Sequence, residues 1–485
     1  MTNGTLIQYF EFDLPDDGKH WQNTAEDAKH LADIGFSHIW LPPATKGTGT
    51  NDTGYGVYDL YDLGEFDQKG AQRTKYGTKE EYLNAIKALQ EQGISVLADV
   101  VLNHRMGADE LEKFPAYEMD PNDRNKVIEE AHEIEAWTHF TFPGRQGKYS
   151  DFEWRWYHFS GVDYDQSRDK SGIYMVAGEG KGWADNENVD NEKANYDYLM
   201  GADVDYDRED TVEEIKKWTK WFLETTGVDG FRFDAVKHID DGFIESIAKV
   251  ASEVNEDFYA IGEYWKYHYH DLENYLKDTD YQLDLFDVML HFHFKEASEA
   301  GANYDMAKLL DNTLLTLKPQ QAVTFVDNHD TQLGQSLASW VQPWFKPIAY
   351  GIILMHKEGL PCVFYGDYYG LSQVDEENGY QADIDKMMTL RTERAYGDQE
   401  DYFDHGNCVG FSRLGDADHP DGLALLCSNG DAGFKKMYVG QDKAGQVWID
   451  YLAYSDQEVT IDDSGYGEFS CPAGGISIWT QNNLK

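Results

Sequence analysis

The chain has 485 residues, 41 of them basic and 89 acidic, for a formal charge of −48. That balance excludes nucleic acid and anionic membrane surfaces as partners, because both need a cationic face. A hydrophobic share of 41% supports sizeable cores and excludes global disorder, and the length predicts two or three domains.

No apolar run approaches the roughly 20 residues that span a bilayer. Met1 to Phe10 lacks a basic start and an apolar stretch, so no signal peptide is expected. The expectation is a cytoplasmic monomer, or a secreted protein whose signal has been removed. Cys362, Cys408, Cys427 and Cys471 form no Cys-x-x-Cys pair and read as reduced, packed thiols.

In chain order, Leu6 to Phe10 reads as a first strand. A helix is expected from Thr24, with Ala28, Leu31 and Ile34 along one side and Gly35 as its stop. Phe36 to Pro43 reads as a second strand, followed by a Gly/Asp/Tyr-rich loop from Lys46 to Asp67. Thr78 to Glu81 has the pattern of a capping box and opens a helix that ends near Gly93. Ile94 to His104 is a third strand, almost continuously apolar until Asp99, Asn103 and His104.

The next such strand begins only near Gly227, a gap too long for one crossover. The intervening stretch is rich in Trp, Tyr, Asp and Gly, and reads as an inserted, irregular β-rich subdomain over residues 104–205. Thr211 to Glu214 predicts a second capping box, leading by helix into the segment Gly227 to His238. That segment is apolar early and charged late, as expected of a barrel strand that delivers polar groups at its C-terminal end. Phe258 to Trp265, Leu285 to Leu290, Ala322 to Asp330 and Pro361 to Gly366 read as strands five to eight, with helices between, for example Trp344 to Lys357.

Eight strands alternating with helices predict a (β/α)8 barrel, with a doubly wound open sheet as the runner-up. No Gly-x-Gly-x-x-Gly follows an early strand, which weighs against the runner-up. From residue 398 the pattern changes to short alternating strands with Gly/Asp turns, an all-β sandwich. The expected division is barrel 1–103 and 206–397, insert 104–205, and C-terminal domain 398–485.

Active sites of such barrels lie at the C-terminal strand ends. There the chain places Asn103 and His104, then Arg232, Asp234, Lys237 and His238, then Glu263 and Trp265, then Asp327, His329 and Asp330. Taken singly, each is more economically a cap, a turn residue or half of a buried ion pair. Polar ends on four strands at one rim make coincidence a poor account. Acetal hydrolysis needs one ionised and one protonated carboxyl group flanking the bond. Arg232 and Asp234 are two apart and share a face, so the guanidinium is expected to keep Asp234 ionised as a nucleophile. Apolar neighbours are expected to raise Glu263 into the range of a general acid. Asp330 is expected to hold sugar hydroxyls as charge develops, with His104 and His329 as further hydrogen-bonding groups.

Asp99 to His104, Gly230 to His238, Gly262 to Trp265 and Phe325 to Asp330 resemble, in order, the four signature segments of the α-amylase family of glycoside hydrolases. Gly54 to Phe66, Tyr196 to Met200 and Trp344 to Pro347 are similar to the liquefying bacterial type. Phe403 to Ser412 is most similar to the cytoplasmic bacterial members. The resemblance implies an endo-acting, retaining hydrolase of α-1,4-glucans. It implies Asp234 as nucleophile, Glu263 as acid/base and Asp330 as transition-state stabiliser. Tyr55, His104, Arg232, Lys237, His238, Trp265 and His329 would be the substrate-binding set, Tyr55 stacking on the sugar and Lys237 touching the leaving side.

Asn103, Asp197 and Asp203 are oxygen donors of the kind calcium takes, although their spacing alone fits solvated acids equally well. The resemblance implies that they hold a structural Ca2+ together with the backbone carbonyl of His238. The family's additional calcium and sodium would need an Asp where this chain has Ser160, with Asp185 the nearest match for the other bridging Asp. A further calcium would need acids where it has Gly406, Asn407 and Asn429. Those extra sites are not expected. Other outcomes are a maltooligosaccharide-forming, cyclodextrin-cleaving or transglycosylating relative, or a non-catalytic glucan-binding one. Intact Asp234, Glu263 and Asp330 weigh against the last.

Overall fold

The computed structural model describes residues 3–373 and 379–484, so Met1 and Thr2 of the leader reading lie outside the described residues. Eight parallel strands close into one barrel: Leu6–Gln8, His38–Leu41, Ser95–Val100, Gly230–Phe233, Tyr259–Gly262, Asp284–Phe286, Ala322–Phe325 and Leu360–Phe364. Each pairs with the next in sequence, and the first closes on the eighth through Ile7 opposite Val363. The barrel interior is filled by the apolar side chains the sequence offered, among them Ile7, Ile39, Leu97, Phe231, Ile261, Leu285, Val323 and Val363, all fully buried.

Several strands are shorter than the apolar runs suggested, because a parallel strand ends where its chain turns out to build the rim. The sixth ends at Phe286, and Asp287 caps the helix Val288–Ala300 by accepting from Leu290 N at 3.1 Å. Val288 to Leu290 is therefore helical: apolar residues at a helix start look the same as a strand end. The first helix starts at His20 rather than Thr24.

The capping box at Thr78 is present. Its hydroxyl accepts from Glu81 N at 3.4 Å, and Glu81 accepts from Thr78 N at 2.8 Å. The one expected at Thr211 is not. The helix Glu209–Thr226 begins two residues earlier, and Thr211 is buried inside it. Acidic Glu209 and Asp210 in the first turn favour that earlier start.

The insert is more regular than expected. Six strands form one antiparallel sheet, including a long hairpin of Glu110–Asp120 and Asp123–His139. Much of the hairpin reaches beyond the core, so charged residues occupy both of its faces and obscured its alternation. His104–Arg105 pairs with Ala202–Val204, which ties the end of the third barrel strand directly to the insert.

The C-terminal region holds a six-stranded and a two-stranded antiparallel sheet around Leu426, Trp448, Phe469 and Trp479. Arg413 reaches back to the barrel and donates to Met355 O at 2.9 Å, at the carbonyl end of the helix Lys346–Met355. A cation is favourable at that end of a helix. All four cysteines are free and buried. Among the described residues no helix is long and apolar enough to cross a membrane.

Candidate active site

Strand register assembles the site. Arg232 on the fourth strand lies opposite Asp99 on the third and Ile261 on the fifth. Two residues further along, the fourth strand presents Asp234 and the fifth presents Glu263, so one guanidinium meets three acids. Arg232 Nη1 donates to Asp234 Oδ1 at 2.7 Å and to Asp99 Oδ1 at 2.9 Å, while Nη2 donates to Glu263 Oε2 at 2.8 Å. The Arg232 side chain is 0% exposed. A charge so buried is tolerable only when paired and hydrogen-bonded.

Gly230 permits this packing: a Cβ there would lie 2.1 Å from Tyr259 O. Just past Asp234, Ala235 has φ of 50°, in the left-handed region that a residue with a Cβ avoids. The strained turn aims Ala235 N at Glu263 Oε2, 3.0 Å away.

Arg232 was expected to serve Asp234 alone, and it serves Glu263 as well. Burial raises the Asp234 carboxyl above its ordinary range, with Asp99 and Asp330 adding to the rise, while Arg232 opposes it. Asp234 is therefore not depressed as the neighbouring guanidinium had suggested; its charge is held against desolvation instead. Burial also raises Glu263, to about 7, and Asp234 contributes to that rise while Arg232 opposes it. Asp330 is raised by burial and then by Glu263. Three acids in one dry site cannot all ionise.

Tyr55 donates to Asp99 Oδ2 at 2.8 Å, and its ring stacks on His329 with centroids 5.1 Å apart. His104 Nε2 lies 2.8 Å from Tyr55 O. His329 Nε2 lies 3.4 Å from Asp330 Oδ2, and its Nδ1 is held by Gln8 Nε2 at 2.9 Å. Burial lowers both imidazoles, His104 to about 4, so each is a neutral hydrogen-bonding group at pH 7. Tyr55, His104, Arg232, Asp234, Glu263, His329 and Asp330 thus form one cluster.

Lys237, His238 and Trp265 stand outside it. Lys237 Nζ donates to Trp265 O at 3.1 Å and pairs with Glu192 at 3.1 Å. Trp265 packs against Phe292 at 6.0 Å. His238 turns to the insert, with Nδ1 2.6 Å from Tyr196 O. Asp327 also leaves the rim, to pair with the buried Lys346 at 2.9 Å.

Asp99 is the residue that sequence reasoning undervalued. It accepts from Arg232, Tyr55 and, at 2.9 Å, from Trp40 Nε1. An acid in the middle of an otherwise apolar strand was the available signal.

The expected cation ligands also converge. Asn103 Nδ2 donates to Asp203 Oδ1 at 3.2 Å, and Asp197 accepts from Ala184 N at 3.0 Å. Asp197 and Asp203 are buried without an ion-pair partner, and burial plus mutual repulsion raises both carboxyl groups. Two such acids with a neighbouring amide oxygen fit a hard divalent cation. Among the described residues no three His, Cys, Asp or Glu side chains form a cage. The set has only two acids and would draw its other oxygens from an amide and a carbonyl.

At the positions of the extra family metals, Ser160 donates to Asp203 and Lys181 pairs with Asp205. Asn407 Nδ2 donates to Asn429 Oδ1 at 2.9 Å and to Ala302 O at 2.8 Å. Neutral amides there join the C-terminal domain to the barrel.

Residues 16–413 match the family model described as alpha amylase, catalytic domain, and residues 423–480 match that of the alpha-amylase C-terminal domain. The chain belongs to the α-amylase family. It is 50% identical over 479 residues to an alpha-amylase of Geobacillus stearothermophilus, covering 98% of this chain and 87% of that one. It is 48% identical to a glucan 1,4-alpha-maltohexaosidase of Bacillus sp. (strain 707), covering 99% and 92%. It is 42% identical to the cytoplasmic alpha-amylase of Escherichia coli (strain K12), covering 99% of each. This α-amylase hydrolyses internal α-1,4-glucosidic bonds of glucans.

Proposed function

We propose that this α-amylase cleaves its substrate with retention, through a covalent glycosyl-enzyme intermediate on Asp234. The observation that carries the reading is the sharing of Arg232 by Asp234 and Glu263. One guanidinium holds two carboxyl groups close together, as the retaining class needs at about 5–5.5 Å rather than the wider spacing that admits a water.

Glu263, raised by burial, protonates the leaving glycosidic oxygen as Asp234 attacks the anomeric carbon. The Glu263 carboxylate then takes a proton from water, which releases the sugar from Asp234. Asp330 binds ring hydroxyls with His104 and His329, and Tyr55 supplies a flat surface for the same ring. Lys237 and Trp265 line the leaving side, and His238 braces the wall between barrel and insert. Asn103, Asp197, Asp203 and the carbonyl of His238 hold one Ca2+. When bound, that ion neutralises two buried acids and fixes the insert against the barrel.

We further infer a cytoplasmic monomer that acts on starch, glycogen or maltodextrin. The name of the Escherichia coli relative supports the location. A mechanism-based 2-fluoro maltosyl donor tests the nucleophile. A peptide adduct on Asp234 is the expected result, and an adduct on any other carboxylate refutes the assignment.

A further inference from the structure

Arg124 is 5% exposed and has neither an ion pair nor a hydrogen bond from its guanidinium. Its Nε and Nη1 are buried without any partner. The rings of Tyr196 and Tyr198 flank it, each centroid 5.6 Å from the guanidinium carbon. Rings sandwich the cation but accept none of its protons along the plane of the fork. Buried donors of this kind are satisfied in native proteins, so the missing acceptor points to a ligand.

The guanidinium lines a cavity of about 610 Å³ between the long hairpin of the insert and residues 183–187. Met175 and Trp183 give it apolar wall, and the Trp183 indole is fixed by donating to Arg124 O at 2.9 Å. Asp185, Asn186 and Glu187 stand exposed at its rim. The cavity therefore pairs a donor-only floor with an acceptor-rich rim.

A phosphate or carboxylate would suit the floor and be repelled by Asp185 and Glu187. A hydroxyl accepts from one side and donates to the other, and a sugar carries several around an apolar ring face. We propose that this cavity is a second glucan-binding site, in which Arg124 holds the hydroxyls of a glucosyl unit at a distance from the cleaved bond. The proposal rests on the α-amylase reading and adds a place where the polymer is held during cleavage.

The test uses calcium-loaded Glu263→Gln protein, in which the cleft binds without turnover, titrated calorimetrically with maltoheptaose. Two classes of site are expected, and Arg124→Met should weaken one at least tenfold while leaving the other. The exposed pair Asp185→Ala and Glu187→Ala should weaken the same class with an unchanged melting temperature, which separates ligand loss from unfolding. A single class of site, or two classes untouched by both variants, overturns the proposal. Saturable binding of inorganic phosphate in place of the sugar also overturns it. If wild-type protein cleaves maltoheptaose while the second class is absent, this proposal alone fails. If wild-type protein cleaves no glucan, the α-amylase reading fails first.

Discussion

Arg232 and Asp99 face each other across neighbouring barrel strands, with Nη1 2.9 Å from Oδ1 and both side chains 0% exposed. Asp99 touches no position that a sugar would fill. It fixes the guanidinium from behind, so that the front can hold Asp234 and Glu263. It also adds negative charge that raises Asp234. Asp99→Asn should therefore shift the acidic limb of the kcat/KM profile to lower pH, because Asp234 loses a repelling neighbour. Misplacing the charged hydrogen bonds costs about 1.5–3 kcal/mol, or about 10- to 100-fold in kcat/KM. A reduced rate with an unmoved acidic limb would assign Asp99 to packing alone.

Glu263→Gln keeps an oxygen that can accept from Arg232 and from Ala235 N, so the fold should survive with an almost unchanged melting curve. Proton donation is lost. Starch cleavage should fall at least about 10²–10⁴-fold, while maltosides with a leaving group that needs no proton should lose far less. Near-normal starch cleavage refutes the role.

The pH dependence follows from opposite demands on two raised carboxyl groups. Asp234 must be ionised, and because its pKa is raised, activity should fall as pH drops from neutrality through that raised value. Glu263 must be protonated, so activity should fall as pH climbs through about 7. The result is a narrow bell in kcat/KM, read on a short maltooligosaccharide to isolate the free enzyme. Full activity sustained well above that range would contradict the assignment of Glu263.

Chelation should destabilise the protein, because a cation bound by Asn103, Asp197 and Asp203 binds only the folded chain. At a free calcium concentration about a hundredfold above Kd the stabilisation is about 2.7 kcal/mol. EDTA should lower Tm, and added calcium should restore it. Asp203→Asn should melt lower in calcium and respond less to EDTA. Identical melting curves with and without chelator would remove calcium from the account.

The order of elements, the barrel and the acids at its rim were legible locally. Alternation, continuous apolar runs and polar strand ends are properties of neighbours in sequence, and Asp234, Glu263 and Asp330 announced themselves at three such ends. Boundaries were less legible where two structures share one local pattern. Thr211 to Glu214 fits a capping box as a string, yet its helix had already begun. The hairpin of the insert hid its alternation by carrying charge on both faces.

The sequence by itself determined which side chains reach the mouth of the barrel. Only the tertiary structure decided that Arg232 serves three acids at once, that Asp99 stands behind it, and that Arg124 is left without a partner. The reason is register: Arg232 and Asp99 lie 133 residues apart and meet because two strands pair at one offset. No short-range pattern encodes that offset, and the desolvation that raises Asp234 and Glu263 exists only once the barrel has closed around them.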